Sequence, residues 1–281
     1  MSCSDYKDFH AVTKKLRAFF ESKGFIEVHT QNKLSILAAC EDPTTMSTYN
    51  YSGNVWPLPQ TGQMWLEHYL LDNPEEKGFF CLSTSYRNEP NPVPGRHDLI
   101  FPMFEFETKG GLSELVRLEK ELLEFLGFKK EMYPNNEYPE GDYDAVAKRY
   151  GVDILEHEHE TKLEEDHGPV FFLKNFPEKT SPFWNMALHG ISQTYAKKVD
   201  VIIHGIETIG SAERSCDKEA MRYMFNTISN GEYANTLHAQ FSKDRVQNEL
   251  NTFLSKEFIP RCGGGIGMTR MIRAMKLSKL I

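Results

Sequence analysis

The 281-residue chain has no apolar run near the ~20 residues that a membrane span requires. Its first residues, MSCSDYKDFH, lack the basic-then-apolar pattern of a secretory signal. Cysteine is sparse: Cys3, Cys40, Cys81, Cys216 and Cys262 are odd in number and scattered, with no Cys-x-x-Cys pair and no disulfide framework. A cytoplasmic location is the expectation. Basic charge is in deficit, with 32 Lys and Arg against 40 Asp and Glu, a net charge of −8. That balance argues against a dedicated nucleic-acid binder, since proteins living on nonspecific phosphate contacts are usually basic. No internal repeat and no low-complexity segment is present.

What the chain does have is a globular composition, 40% apolar and 26% charged, and ample length for a substantial core. Residues 6–23 read as an amphipathic helix, with Phe9, Val12, Leu16, Phe19 and Phe20 on one face and Gly24 as the stop. FIEVH (25–29) reads as a strand, 40–62 as turn-rich chain and 63–72 as a helix. GFFCLSTSYRNE (78–89) and FPMFEFE (101–107) read as strands around a polar loop at 90–98 that holds three prolines and a glycine. Leu112, Leu115, Leu118, Leu122 and Leu126 stripe a helix over 112–126 that Gly127 caps. Residues 129–143 read as loop, 144–168 as a short helix with an acidic, His-bearing segment, and 169–177 and DVIIHGIE (200–207) as strands. Residues 217–229 read as helix, and a glycine-rich turn from Gly263 to Gly267 leads into a last helix from Met268. Without regular strand–helix alternation the fold class is α+β, a mainly antiparallel sheet flanked by helices. With no linker in view, 1–281 is expected to be one domain.

Strand side chains alternate faces, so Ser83, Ser85, Arg87 and Glu89 share one face, as do Phe101, Met103, Glu105 and Glu107. Paired, the two strands present a guanidinium, carboxylates and an aromatic ring, which suits a nucleotide and equally a half-exposed charged sheet face. Arg96 and His97 in the loop are possible phosphate donors. The sequence RCGGGIGMTRMIRAM allows close backbone approach and an anion at the helix N-terminus, with Arg270 and Arg273 in the first turns. It is neither a P-loop, lacking Gly-Lys-Ser/Thr, nor a dinucleotide fingerprint. In GIETIGSAERSCD (205–217), Glu207 ends an apolar strand where a carboxylate can hold Mg2+, and Arg214 can clamp a carboxylate; a surface salt bridge fits the same residues.

In this order the segments resemble the catalytic core of class II aminoacyl-tRNA synthetases. YRNE with RHDLIF resembles motif 2, GGGIGMTRMI resembles motif 3, and GIETIGSAERSCD is similar to the segment before motif 3 in the aspartyl and asparaginyl branch. QTGQMWLEHYL resembles the asparaginyl form; an aspartyl enzyme carries a substrate-binding lysine where this chain has Leu66, followed by Glu67. LEHEHETKL and VFFLKNFPEKTSPFWNM also look asparaginyl, so the resemblance spans residues 6–276. It implies ATP and Mg2+ as cofactors. Arg87 would hold the α-phosphate and the reacting carboxylate, Glu89 would accept from the adenine amino group, and Phe101 would stack on adenine with Arg270 on its other face. Arg96 and His97 would meet the outer phosphates, Gly265 and Gly267 would line the nucleotide site, and Glu207 would bind Mg2+. Gln63, Glu67, Glu105, Glu158, Glu160 and Arg214 would serve the amino acid. Arg87, Arg270 and Glu207 are the candidate catalytic groups.

Two positions depart from the pattern. Gln31 stands at the motif 1 proline, in the segment that usually forms a homodimer interface, and Ile100-Phe101 replaces the Glu-Phe of motif 2. With the core beginning at residue 6, no room is expected for the branch's anticodon-binding barrel. That makes an ammonia-dependent asparagine synthetase the first expectation: aspartate activated by ATP, ammonia attacking, AMP and pyrophosphate released. Transfer to tRNA or another acceptor is the second, with tRNA disfavoured by the net charge of −8. A non-catalytic synthetase-like protein is the third.

Overall fold

The computed structural model describes residues 6–31, 33–36, 43–92, 98–180, 183–190 and 194–281. Its elements are α1 (Tyr6–Ser22), β1 (Ile26–Glu27), β2 (Thr48–Tyr51), β3 (Asn54–Pro57), α2 (Gln63–Asp72), β4 (Gly78–Tyr86), β5 (Ile100–Lys109), α3 (Leu112–Leu126), β6 (Glu140–Asp142) and α4 (Tyr143–Tyr150). There follow α5 (His157–His167), β7 (Val170–Pro177), β8 (Leu188–His189), β9 (Tyr195–Ile203), β10 (Ile206–Glu213), α6 (Lys218–Thr227), α7 (Glu232–Phe241), α8 (Lys243–Leu254), β11 (Arg261–Gly267) and α9 (Met268–Leu277). Among the described residues nine strands form one sheet in the order β1-β4-β5-β11-β10-β9-β7-β6, with β8 on β9; β2 and β3 form a separate hairpin. Within the large sheet β1 with β4 and β6 with β7 are parallel, and the other pairs are antiparallel. No described helix is long and apolar enough to cross a membrane.

Alternation along the strands divides the sheet into two faces. Phe104 and Phe106 of β5, with Val199, Val201 and Ile203 of β9, join Phe20 of α1, Leu115 and Leu122 of α3, and Met271 and Met275 of α9 in the main core. Each such fully buried large side chain stabilises the fold by about 1.5–3 kcal/mol. The residues in between, Met103, Glu105 and Glu107 on β5 and Lys198 and Asp200 on β9, fall to the other face. There α2 packs on β4 and β5, and α4 and α5 cover β7 through Tyr143, Val146, Leu163 and Phe171. α6, α7 and α8, with Met64 and Leu71 of α2 and Trp184, build a further apolar cluster around Phe225, Leu237 and Phe253.

Several segments differ from the sequence reading. The glycines 263–265 form no turn: they lie in β11, between β10 and β5 at the middle of the sheet. A side chain at Gly263 would collide with Phe106 O as well as Glu107, and one at Gly264 with Gly210 O as well as Ser211, so the two neighbouring strands require the glycines. DVIIHGIE is not one strand but the end of β9, a two-residue turn and the start of β10. His204 and Gly205 carry φ of +48° and +67°, the left-handed pair that matches the twist of a two-residue hairpin. The segment 156–160 opens helix α5, with Glu156 at its N-cap. FIEVH keeps only Ile26–Glu27 as strand, and the stretch read as loop at 129–143 contains β6.

α3 carries one carboxyl on its buried leucine face. Glu119 is 0% exposed. Burial, then the negative charge of Asp200, pushes it from 4.5 up to about 8. Between those values the folded protein holds a proton that the unfolded chain has released, so stability falls as pH rises. The contribution is fully present below about 4.5 and gone above about 8. Glu119→Gln, neutral throughout, is expected to match the parent near pH 4 and exceed it by on the order of several kcal/mol at about pH 9. Urea midpoints at the two pH values measure this; a difference that does not grow with pH would contradict it.

Candidate active site

The β4–β5 hairpin supplies the first wall. Ser85 pairs with Phe101 and Ser83 with Met103, so the register puts both predicted faces on one side. β4 ends at Tyr86, yet the ladder continues: Arg87 N donates to Leu99 O at 2.8 Å. Arg87 therefore projects just beyond the strand, its guanidinium carbon 5.7 Å from the Phe101 ring centroid. A cavity of about 260 Å³ opens here, lined by Arg87, Glu89, Phe101, Met103 and Glu105 from the hairpin and by Gln60, Thr61 and Gln63 from the start of α2. Glu207, Thr208 and Gly210 of β10, Gly265 and Gly267 of β11, and Thr269 and Arg270 of α9 close it. Arg96 and His97 lie outside the described residues.

The β9–β10 hairpin contributes two carboxylates, Asp200 and Glu207. The His204-Gly205 turn folds Glu207 back toward Asp200, which the sequence reading missed although DVIIHGIE contains it. A side-chain carbon on Gly210 would stand 2.6 Å from Glu207 Oε1 and 3.6 Å from Asp200 Oδ1. Asp200 is 7% exposed and its Oδ1 accepts no hydrogen bond. Burial, then the nearby Glu207 charge, raises its affinity for protons. Two converging carboxylates, one with a buried free oxygen, fit Mg2+, which commonly takes one or two carboxylates and completes its shell with phosphate oxygens and water. Among the described residues no group of three His, Cys, Asp or Glu side chains could hold a metal, so the carboxylates alone do not make a cage. Arg270 Nη1 donates to Glu207 O at 2.7 Å and stands 3.7 Å from Glu207 Oε2, which fixes the arginine at the cavity rim. Glu160 Oε2 accepts from Glu207 N at 3.1 Å, while Glu158 on the same helix is exposed and lines no cavity described here.

The residues expected to serve the amino acid divide into two groups. Gln63 and Glu105 reach the cavity, but Glu67 and Arg214 lie behind its wall. Glu67 and Glu107 are 0% exposed, Arg261 is 0% and Arg214 is 2%. Arg261 grips Glu67 Oε2 through Nε at 2.9 Å and Nη2 at 2.7 Å, and Asn185 Nδ2 donates to Glu67 Oε1 at 2.7 Å. Arg214 donates through Nε and Nη2 to the two Glu107 oxygens, both at 3.4 Å, and through Nη2 to Gly263 O at 3.1 Å. Gln63 Nε2 donates to Glu107 Oε2 as well. Two guanidiniums and two carboxylates thus interlock in a buried layer beneath the cavity, and burial raises the Glu107 carboxyl. Glu105 faces the cavity, accepting from Gly62 N at 2.8 Å and from the Thr61 and Ser83 hydroxyls; its carboxyl too is raised by burial.

The family model for tRNA synthetases class II (D, K and N) matches residues 4–281. An aspartate–tRNA(Asp) ligase of Pyrobaculum aerophilum is 26% identical over 233 residues, covering 73% of this chain and 51% of that protein. Asparaginyl-tRNA synthetase from Pyrococcus horikoshii, solved with asparaginyl-adenylate, superposes with a TM-score of 0.77 at 18% identity over 95% of this chain and 64% of its own. The Entamoeba histolytica asparaginyl-tRNA synthetase, in complex with the same adenylate, gives 0.72 at 17% identity over 96% and 63%. The chain thus spans about half the length of the curated relative and under two thirds of the solved ones. It belongs to the class II tRNA synthetases of the D, K and N group.

Proposed function

We propose that the cavity activates the carboxylate of aspartate or asparagine with ATP, forming an aminoacyl-adenylate and releasing pyrophosphate, and that the acyl group then passes to tRNA. The convergence of Arg87, Phe101, Glu207 and Arg270 on one cavity carries the reading. Phe101 offers a face for adenine, and Glu89 an acceptor for its amino group. Arg87 and Arg270 offset charge that develops as the amino-acid oxygen attacks the α-phosphorus and pyrophosphate departs. Asp200 and Glu207 would hold Mg2+, which supplies further charge neutralisation at the phosphates. Gln63 and Glu105 at the inner end suit the substrate's ammonium. No covalent nucleophile is required, since alignment of carboxylate and phosphate supplies most of the rate.

Ammonia as the acceptor, the first expectation from the sequence, finds no support among these relatives, whose names are all those of tRNA ligases or synthetases. Transfer to tRNA moves ahead of it. A homodimer and a cytoplasmic location belong to the same proposal. An amino-acid panel in ATP–pyrophosphate exchange, followed by charging of total tRNA against amide formation with ammonium, tests the reading. Aspartate or asparagine is expected to drive exchange and to appear on tRNA. Amide product without charged tRNA would overturn the acceptor, and exchange with neither amino acid would overturn the substrate.

A further inference from the structure

One buried cation beside this site has no part in the chemistry above. Lys198 on β9 is 8% exposed, and its ammonium lies 2.7 Å from Asp200 Oδ2. It also sits 4.1 Å from the Phe176 ring centroid, where an ammonium gains a cation–π contact. Positions i and i+2 on a strand share a face, so the order Lys-Val-Asp itself fixes the cation beside the carboxylate. With Oδ2 taken, Asp200 turns its free Oδ1 toward Gly210 and Glu207. Glu160 reaches the same spot through Glu207 N. Three carboxylates therefore gather at this hairpin against two cations, Lys198 and Arg270.

We propose that Lys198 is a positioning residue, a built-in counter-ion that aims Asp200 Oδ1 at Glu207 and lowers the charge of the pair, so that the site takes a divalent ion only together with nucleotide phosphates. Mg2+ gives up water reluctantly, and a carboxylate pair already half neutralised offers too little to replace it. Phosphate oxygens restore the missing charge. An idle protein then carries no metal, and the ion arrives with the nucleotide. This rests on Asp200 and Glu207 being the metal carboxylates, but not on which amino acid or acceptor is used.

Mn2+ titration tests it, with the free ion followed by its solution paramagnetic resonance and with no nucleotide, amino acid or tRNA present, then with a non-hydrolysable ATP analogue. The parent protein is expected to bind Mn2+ weakly alone and at least about tenfold more tightly with the analogue. Lys198→Met is expected to bind free Mn2+ about tenfold more tightly than the parent and to lose most of the analogue's benefit. Lys198→Arg, which keeps the charge, is expected to behave as the parent, and adding Asp200→Asn to Lys198→Met to abolish the gain. Lys198→Gln gives the same reading if the methionine variant is unstable. Tight Mn2+ binding by the parent without nucleotide overturns the proposal whatever the variants do, as does a gain that survives Asp200→Asn. A protein with the expected Mn2+ pattern but no pyrophosphate exchange would refute amino-acid activation and leave the role of Lys198 standing.

Discussion

Arg87→Ala is expected to lower amino-acid-dependent ATP–pyrophosphate exchange by about a thousandfold or more, the scale seen when an arginine that offsets phosphoryl charge is lost. The fold should hardly notice. Arg87 lies past the end of β4, half-buried at the cavity edge, and its backbone hydrogen bond to Leu99 does not depend on the side chain. Arg87→Lys should recover little, because a compact ammonium cannot span two oxygens as a planar fork does. Exchange rates and urea midpoints of the same preparations separate the two effects. A loss smaller than tenfold would mean that the guanidinium over Phe101 is not at the reacting phosphate.

Arg261→Met is expected to cost about 3–5 kcal/mol of folding stability, because it strips the two-pronged partner from a carboxylate that no water reaches. Glu67 would keep only Asn185 and the more distant Arg214, whose Nε is 3.9 Å from Glu67 Oε1. The double variant Glu67→Met with Arg261→Met should regain most of the loss, since removing both charges removes the penalty that removing one creates. Urea denaturation of the parent, both single variants and the double variant closes the cycle. A single variant within about 1 kcal/mol of the parent would show that the pair is not sealed from solvent.

Where a pattern was local, the sequence was readable. The leucines of α3 and Gly127 behind them mark that helix to the residue, and strand alternation put Arg87, Phe101 and Glu105 on one side before any pairing was known. Where partners come from afar, it was not. Nothing near Arg214 in the sequence announces Glu107, 107 residues earlier, as its neighbour, and Glu67 is held by Arg261 from 194 residues away. The glycines of β11 have the composition of a turn and the position of a central strand, because their role is to leave room for Glu107 and Ser211. His204-Gly205 hides a hairpin inside an apolar run, and only the hairpin makes Asp200 and Glu207 neighbours.

The most direct measurement of carboxylate activation follows the oxygen itself. The amino acid is supplied with heavy oxygen in its carboxylate, together with ATP, Mg2+ and hydroxylamine, which traps the activated acyl group whatever the natural acceptor. Attack at the α-phosphorus places one carboxylate oxygen on that phosphorus, and cleavage of the acyl carbon–oxygen bond leaves it there. The expected result is AMP carrying one heavy oxygen, unlabelled pyrophosphate, and loss of both products in Arg87→Ala. Heavy oxygen in inorganic phosphate with ADP as the nucleotide product, or AMP without label, would contradict adenylate formation at this cavity.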